Sequence, residues 1–260
     1  MWALSVAIFV GVKWLSWLSV TWTAPVPMWR KLAYWTAWPG LNARGFVVGA
    51  PERVTANRWL IAGLLTALGA TLLLGLAPKL VGEAPDLVVA WVGMLGIIFL
   101  LHFGALALVS CFWNSVGIQA TPLMQQPLAS TSVSEFWSAR WNTAFRDLTS
   151  LTIFRPLTKK LGAARAAFAV FLFSGIVHDV VISVPARGGY GKPTLYFLIQ
   201  WLAIAIQRSG WGRSTGIQGG MRGWLFTMLT LGLPLGLLFH PEFGTRVILP
   251  FVEALKSQLN

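Results

Sequence analysis

Charge is scarce in this chain, and negative charge is scarcer still. Of 260 residues, 11% are charged, and only 8 are Asp or Glu against 20 Lys or Arg. A soluble domain carries roughly twice that share of charge, so an ordinary water-soluble fold is excluded. Cysteine is nearly absent. The single Cys111 excludes an internal disulfide and a thiolate metal cluster. No H-E-x-x-H, G-x-S-x-G or G-x-G-x-x-G pattern occurs, which removes support for zinc-hydrolase, serine-hydrolase and dinucleotide chemistry. The stretch GGYGKPT at 188–194 approaches a phosphate loop, but Pro193 follows the lysine where Ser or Thr is required, so it reads as a tight turn. No internal repeat or low-complexity tract is present.

Apolar residues make up 56% of the chain and gather in long continuous runs. Backbone groups in hydrocarbon must be satisfied internally, which allows helices or a closed barrel. The runs lack the period-two alternation of a barrel, so they predict an all-α, polytopic transmembrane bundle. A span needs roughly 20 apolar residues. About six fit, near 2–22, 59–77, 86–109, 165–184, 194–208 and 222–240. The first carries Lys13 at mid-depth and the fifth is short. The N-terminus lacks a basic flank and a cleavage site, so it reads as a retained helix.

The net charge of +12 does not imply nucleic acid as a partner. Its lysines and arginines concentrate in loops 23–58, 110–165 and 208–222, which the positive-inside rule assigns to the cytoplasm, with both termini outside. No RNA- or DNA-binding motif accompanies them. Loop 110–165 is too long for a bare connector and contains Phe112, Trp113, Phe136, Trp137, Trp141 and Phe145. Ser134 and Glu135 ahead of FWSARWNTAFRDL predict a capped amphipathic helix packed at the membrane surface.

Ionisable side chains inside spans are costly, which marks them as functional candidates. His178 lies in the run AAFAVFLFSGIVHDVVISV, one turn after Ser174 and Gly175, whose small size leaves room beside the ring for a substrate or another helix. A neutral imidazole there can act as a general base, while the position equally allows an interhelical hydrogen bond. Asp179 points about 100° away and is expected to pair with a cation such as Lys13 or an arginine. Asn142 offers a donor for a developing oxyanion, or is simply a solvent-facing amide. His102 and His240 read as interfacial residues near helix ends.

The segments FWSARWN and SGIVHDVVISVPARGGYGKPTLYF, with YWTAWPGLNARGF at 34–46, ATPLMQQPL at 120–128 and LPLGLLFHPEFGTRVILPF at 233–251, resemble the wax-synthase branch of the membrane-bound O-acyltransferase superfamily. The resemblance runs from about residue 34 to the C-terminus. It implies one membrane-embedded acyltransferase domain over 1–260, with 1–33 as an N-terminal helix and the start of a basic loop, and 34–251 as the family-like region. It further implies catalytic roles for His178 and Asn142. An acyl thioester, in the first place acyl-CoA, would be the donor, used as a substrate and not a cofactor. A hydroxyl would be the acceptor, a long-chain alcohol in the wax synthases proper. Trp141, Arg140, Arg146, Ser174 and Gly175 are the expected substrate contacts, the arginines toward CoA phosphates. No metal or cofactor is expected, and a bacterial inner membrane is the expected location. Acylation of a sterol, polyketide or glycan hydroxyl remains the alternative within enzymes, and a non-catalytic transporter or scaffold the alternative outside them.

Overall fold

A computed structural model describes residues 2–22 and 25–259. Among the described residues there are helices and no strands. In chain order the main helices are Trp2–Leu18 (α1), Met28–Ala37 (α2), Ala43–Val48 (α3), Ala56–Leu80 (α4), Asp86–Ser115 (α5), residues 133–140 (α6), residues 143–161 (α7), Ala163–Ala186 (α8), Lys192–Arg208 (α9), Gly220–Leu238 (α10) and residues 241–259 (α11).

Four of them, α4, α5, α8 and α10, are long and apolar enough to cross a membrane. The all-helical membrane architecture read from composition therefore holds. The expected first and fifth spans are 17-residue helices, α1 and α9. At 1.5 Å per residue each covers about 25 Å, a little short of a bilayer's hydrocarbon thickness of ≈ 30 Å.

The chain forms two compact units whose segments interleave along the sequence. One comprises Trp2–Met124, Thr143–Leu148 and Phe251–Asn260; the other is built from Gln125–Asn142 and Thr149–Pro250.

In the first unit, α4 and α5 cross closely through small residues. A Cβ on Gly69 would collide with the backbone of Leu100, and one on Gly96 would lie 2.8 Å from Leu73. Small residues at such crossings let backbones approach where the hydrophobic effect gives no preference for helix over lipid. The unit's core is aromatic. Tyr34, Trp38, Leu41, Phe46, Ile118 and Leu123 are buried together, and Trp113, expected in the long loop but in fact in the last turn of α5, packs against them. Lys13, only 1% exposed, enters this core. It donates to the carbonyls of Trp38 and Gly40, and its ammonium lies 3.9 Å from the Tyr34 ring centroid. The cation anticipated at mid-depth is therefore held by carbonyls and a π face, and not by a carboxylate.

In the second unit, the amphipathic helix is shorter than the sequence suggests. Its cap is Ser132, whose side chain accepts from the Glu135 N–H at 3.1 Å, and not Ser134, which accepts from Arg208 at 2.9 Å. Glu135 reaches back to the Thr131 N–H at 2.8 Å, completing a reciprocal cap. Burial raises the Glu135 pKa, but the hydrogen bonds from Thr131 and Arg140 outweigh it and hold the carboxyl below its usual range. The helix ends at Arg140, where Trp141 is extended and Asn142 has a φ of 42°. Asparagine tolerates that left-handed conformation better than most residues.

Gly69→Val is expected to lower the stability of the detergent-solubilised protein by about 1–3 kcal/mol through overpacking. Gly75→Val, where a Cβ meets nothing within 4 Å, is the control expected to leave the melting temperature close to wild type. Equal melting temperatures for the two variants would contradict the close crossing.

Candidate active site

His178 is the last residue of a regular α-helical stretch, Ala163–His178, after which α8 widens into a π-type turn over Asp179–Ser183. Its Nδ1 lies 2.7 Å from the carbonyl oxygen of Ser174, one turn earlier. A carbonyl only accepts, so Nδ1 carries the proton, and in the neutral form of the ring Nε2 presents a lone pair. The ring is partly buried, and packs at 4.5 Å centroid distance on Phe197 of α9.

Ser174 and Gly175 serve the site in ways their size only half suggests. Ser174 contributes its backbone carbonyl. Gly175 lets α9 approach, since a Cβ there would lie 2.6 Å from the Cα of Thr194. Of the two possible neighbours for these small residues, a second helix occupies the side at Gly175.

Among the described residues Asp179 meets no cation, contrary to expectation. Its carboxylate accepts from Ser183 at 2.8 Å, from the Gly191 N–H at 2.8 Å, from the Thr194 N–H at 3.1 Å and from the Thr194 hydroxyl. The first turn of α9 has backbone N–H groups without intrahelical partners and a positive dipole end, and one carboxylate satisfies both. Asp179 thus ties α9 to α8 immediately beside His178.

The same network explains His240, which lies between the end of α10 and the start of α11 and is 0% exposed. Its Nε2 lies 3.2 Å from the Ser183 hydroxyl and its Nδ1 lies 3.0 Å from Glu242, which also binds Lys192 at 3.2 Å. Burial favours the neutral His240 ring and outweighs Glu242, so its pKa falls below the ordinary value. Gly189, at φ 71°, leaves room for this ring, since a Cβ there would lie 2.5 Å from it. His102 is also misread from sequence, for it sits in the middle of α5 with Nδ1 buried and without a partner.

The segment ending in Asn142 approaches the imidazole through rings. Trp141 stacks on Phe136 at 5.4 Å, Phe136 meets Trp137 at 5.0 Å, and Trp137 packs on Phe197 at 5.3 Å. Phe197 thus touches both Trp137 and His178. Arg140, Trp141, Asn142, Ser174, Gly175 and His178 all lie in one unit. Arg140 is held there by Glu135 at 2.7 Å and by the carbonyls of Gln125 and Gln126. Arg146 lies in the other unit, where it pairs with Asp147 at 2.7 Å beside a cavity of about 100 Å³ that Trp38, Phe46 and Gln119 also line. Sequence reasoning missed Trp137, Phe197, Ser183 and Thr194. The aromatic density of FWSARW was a signal for the first, and the hydroxyl-rich flanks of the GGYGKPT turn were a signal for the last two.

An apolar groove of about 560 Å³ lies along α9 and α10, lined by Ile199, Leu202, Ile206, Phe226, Leu229 and Leu233 among others. Ile199 and Leu202 are turned about 200° and 140° from Phe197 around α9, so this groove is on the side away from the imidazole.

Residues 120–200, which contain both Asn142 and His178, match the model of the membrane bound O-acyl transferase family. The chain is similar to a probable long-chain-alcohol O-fatty-acyltransferase of Arabidopsis thaliana, 24% identical over 49% of this chain and 41% of the relative. It is similar to a long-chain-alcohol O-fatty-acyltransferase of Simmondsia chinensis, 30% identical over 36% of this chain and 29% of the relative. It is also similar to an acyl-CoA–sterol O-acyltransferase of Arabidopsis thaliana, 26% identical over 48% of this chain and 39% of the relative. The matched stretches span between about three tenths and two fifths of these relatives' lengths. The resemblance read from the motifs is thus borne out over the segment that holds the candidate residues, in an integral membrane protein.

Asp179→Ala would orphan donors from Ser183, Gly191 and Thr194. It is expected to destabilise the protein by about 1–3 kcal/mol, measured as a lower melting temperature in detergent. An unchanged melting temperature would mean that the carboxylate does not cap α9.

Proposed function

We propose that this protein is a membrane-bound O-acyltransferase that moves a fatty acyl group from an acyl thioester, acyl-CoA in the first place, to the hydroxyl of a long-chain alcohol. The observation that carries the reading is the bond from His178 Nδ1 to the Ser174 carbonyl, which leaves Nε2 as a proton acceptor. The similarity to O-fatty-acyltransferases across residues 120–200 supports it.

The alcohol hydroxyl approaches Nε2 and gives up its proton as its oxygen attacks the thioester carbonyl carbon. A carbon–oxygen bond forms and the carbonyl electron pair moves to oxygen. The tetrahedral intermediate then collapses, the carbon–sulfur bond breaks, and the proton on Nε2 passes to the departing thiolate. Ester and free thiol are the products, and His178 returns to its starting state. General-base assistance of this kind is worth about 10²–10⁴-fold. Asn142 would hydrogen-bond the carbonyl oxygen or hold the acyl group, and Trp141 would line its path. A site closed to water protects the thioester from hydrolysis. The mechanism uses no metal or cofactor. The composition favours a bacterial inner membrane as the setting.

The similarity to a sterol O-acyltransferase supports a second acceptor class, a sterol hydroxyl. Membranes containing the protein, given labelled acyl-CoA and a panel of alcohols and sterols, distinguish the two by which labelled ester forms. His178→Ala is expected to lose transfer by at least about 10²-fold, with Asn142→Ala also impaired. Full activity in both variants would disprove the mechanism. With His178 as the base, transfer should fall as pH is lowered through the histidine's pKa, because the protonated ring accepts nothing. A chemistry-limited rate that stays flat from about pH 8 to 5 would count against it.

A further inference from the structure

The indole nitrogen of Trp137 is buried and has no hydrogen-bond partner. An indole N–H can only donate, so its partner must be an acceptor. Other tryptophans in the chain find one. Trp113 donates to the carbonyl of Ala37 at 2.9 Å, Trp224 to that of Leu128 at 2.7 Å, and Trp201 to that of Ala164 at 3.3 Å. Buried polar groups are seldom left unpaired without a functional reason.

The orientation of this N–H is fixed by packing. The Trp137 ring meets Phe136 at 5.0 Å, stands edge-on to Phe171 of α8 at 6.0 Å, and packs on Phe197 of α9 at 5.3 Å. The imidazole of His178 rests on that same Phe197 at 4.5 Å. The indole and the imidazole therefore share Phe197 as a neighbour, which places an unpartnered donor and a candidate base on the same phenyl ring. Among the described residues, two other buried side-chain atoms lack partners. They are His102 Nδ1, which belongs to α5 in the other unit, and Gln200 Oε1, which only accepts.

We propose that Trp137 is a catalytic residue whose indole N–H donates to the carbonyl oxygen of the acyl thioester. The inference rests on the acyltransferase reading and adds to it a donor that stays neutral throughout. As the alcohol oxygen bonds to the carbonyl carbon and its proton moves to His178 Nε2, negative charge builds on the carbonyl oxygen and the N–H bond to it strengthens. When the carbon–sulfur bond breaks, the charge returns to the carbonyl and the proton goes to sulfur. Trp137 exchanges no proton. A fixed dipole aimed at charge that develops in the transition state acts mainly on turnover.

The test compares wild type, Trp137→Phe, Trp137→His and His178→Ala with palmitoyl-CoA and hexadecanol as probes. Trp137→Phe keeps an apolar ring and removes the donor, and kcat is expected to fall by about 10²-fold while the KM for alcohol changes little. Trp137→His packs less well but retains an N–H, and is expected to exceed the Phe variant in kcat. A purely structural role predicts the opposite order, and that order, or a wild-type kcat in Trp137→Phe, overturns the inference. If the variants do not fold, indole N–H spectra of the wild-type protein decide. On adding a ketone analogue of palmitoyl-CoA, a solvent-protected indole signal should move downfield, and no movement overturns the inference. A wild-type protein that acylates no hydroxyl overturns the acyltransferase reading, and this proposal with it. Transfer that is lost in His178→Ala but intact in Trp137→Phe overturns the proposal alone.

Discussion

The hydrogen bond from the Nδ1–H of His178 to the carbonyl of Ser174 sets the chemistry open to this site. An imidazole has two nitrogens, and the partner of one dictates the state of the other. A carboxylate at Nδ1 would have favoured the charged ring. A carbonyl fixes the tautomer without adding a charge, which suits a base among apolar side chains. The partner is supplied by the helix itself, so the ring is oriented by its own backbone.

Around that bond, the second unit is arranged to leave few polar groups unanswered. The start of α9 has N–H groups that need acceptors, and Asp179 supplies them. Ser183 links that carboxylate to a fully buried His240, which leads on to Glu242 and Lys192. Gly175 permits α9 to approach close enough for Phe197 to reach the imidazole. The network and the packing thus fix the same helix pair from two sides, one polar and one aromatic.

Much of this was legible in the sequence. Low charge and long apolar runs gave a helical membrane protein, and the isolated His178 stood out because ionisable groups in such runs are expensive. Partnerships between distant segments were not legible. Asp179 was expected to seek a cation, yet the N-terminus of a helix twelve or more residues later served as its partner, and nothing in the local pattern specifies how that helix returns. The cap at Ser132 was missed in favour of Ser134 because both precede an apolar stretch, and only backbone geometry separates them. The left-handed Asn142 was likewise invisible, since the run FWSARWNTAFRDL is periodic enough to read as one helix. Two spans came out as 17-residue helices, where counting apolar residues cannot tell a helix that crosses from one that ends early.

Lys13 carries a consequence for how its unit tolerates change. The residues it holds, Trp38 and Gly40, lie between α2 and α3, where the main chain is not helical and its oxygens have no turn to close. The ammonium stands in for the missing turn, acting as a detached piece of backbone. Exchanging it for a hydrocarbon of similar length would abolish the expense of a buried cation but strand two oxygens in a dry interior. What resembles a misplaced charge is the fastener of a loop, and its worth lies in the oxygens it covers.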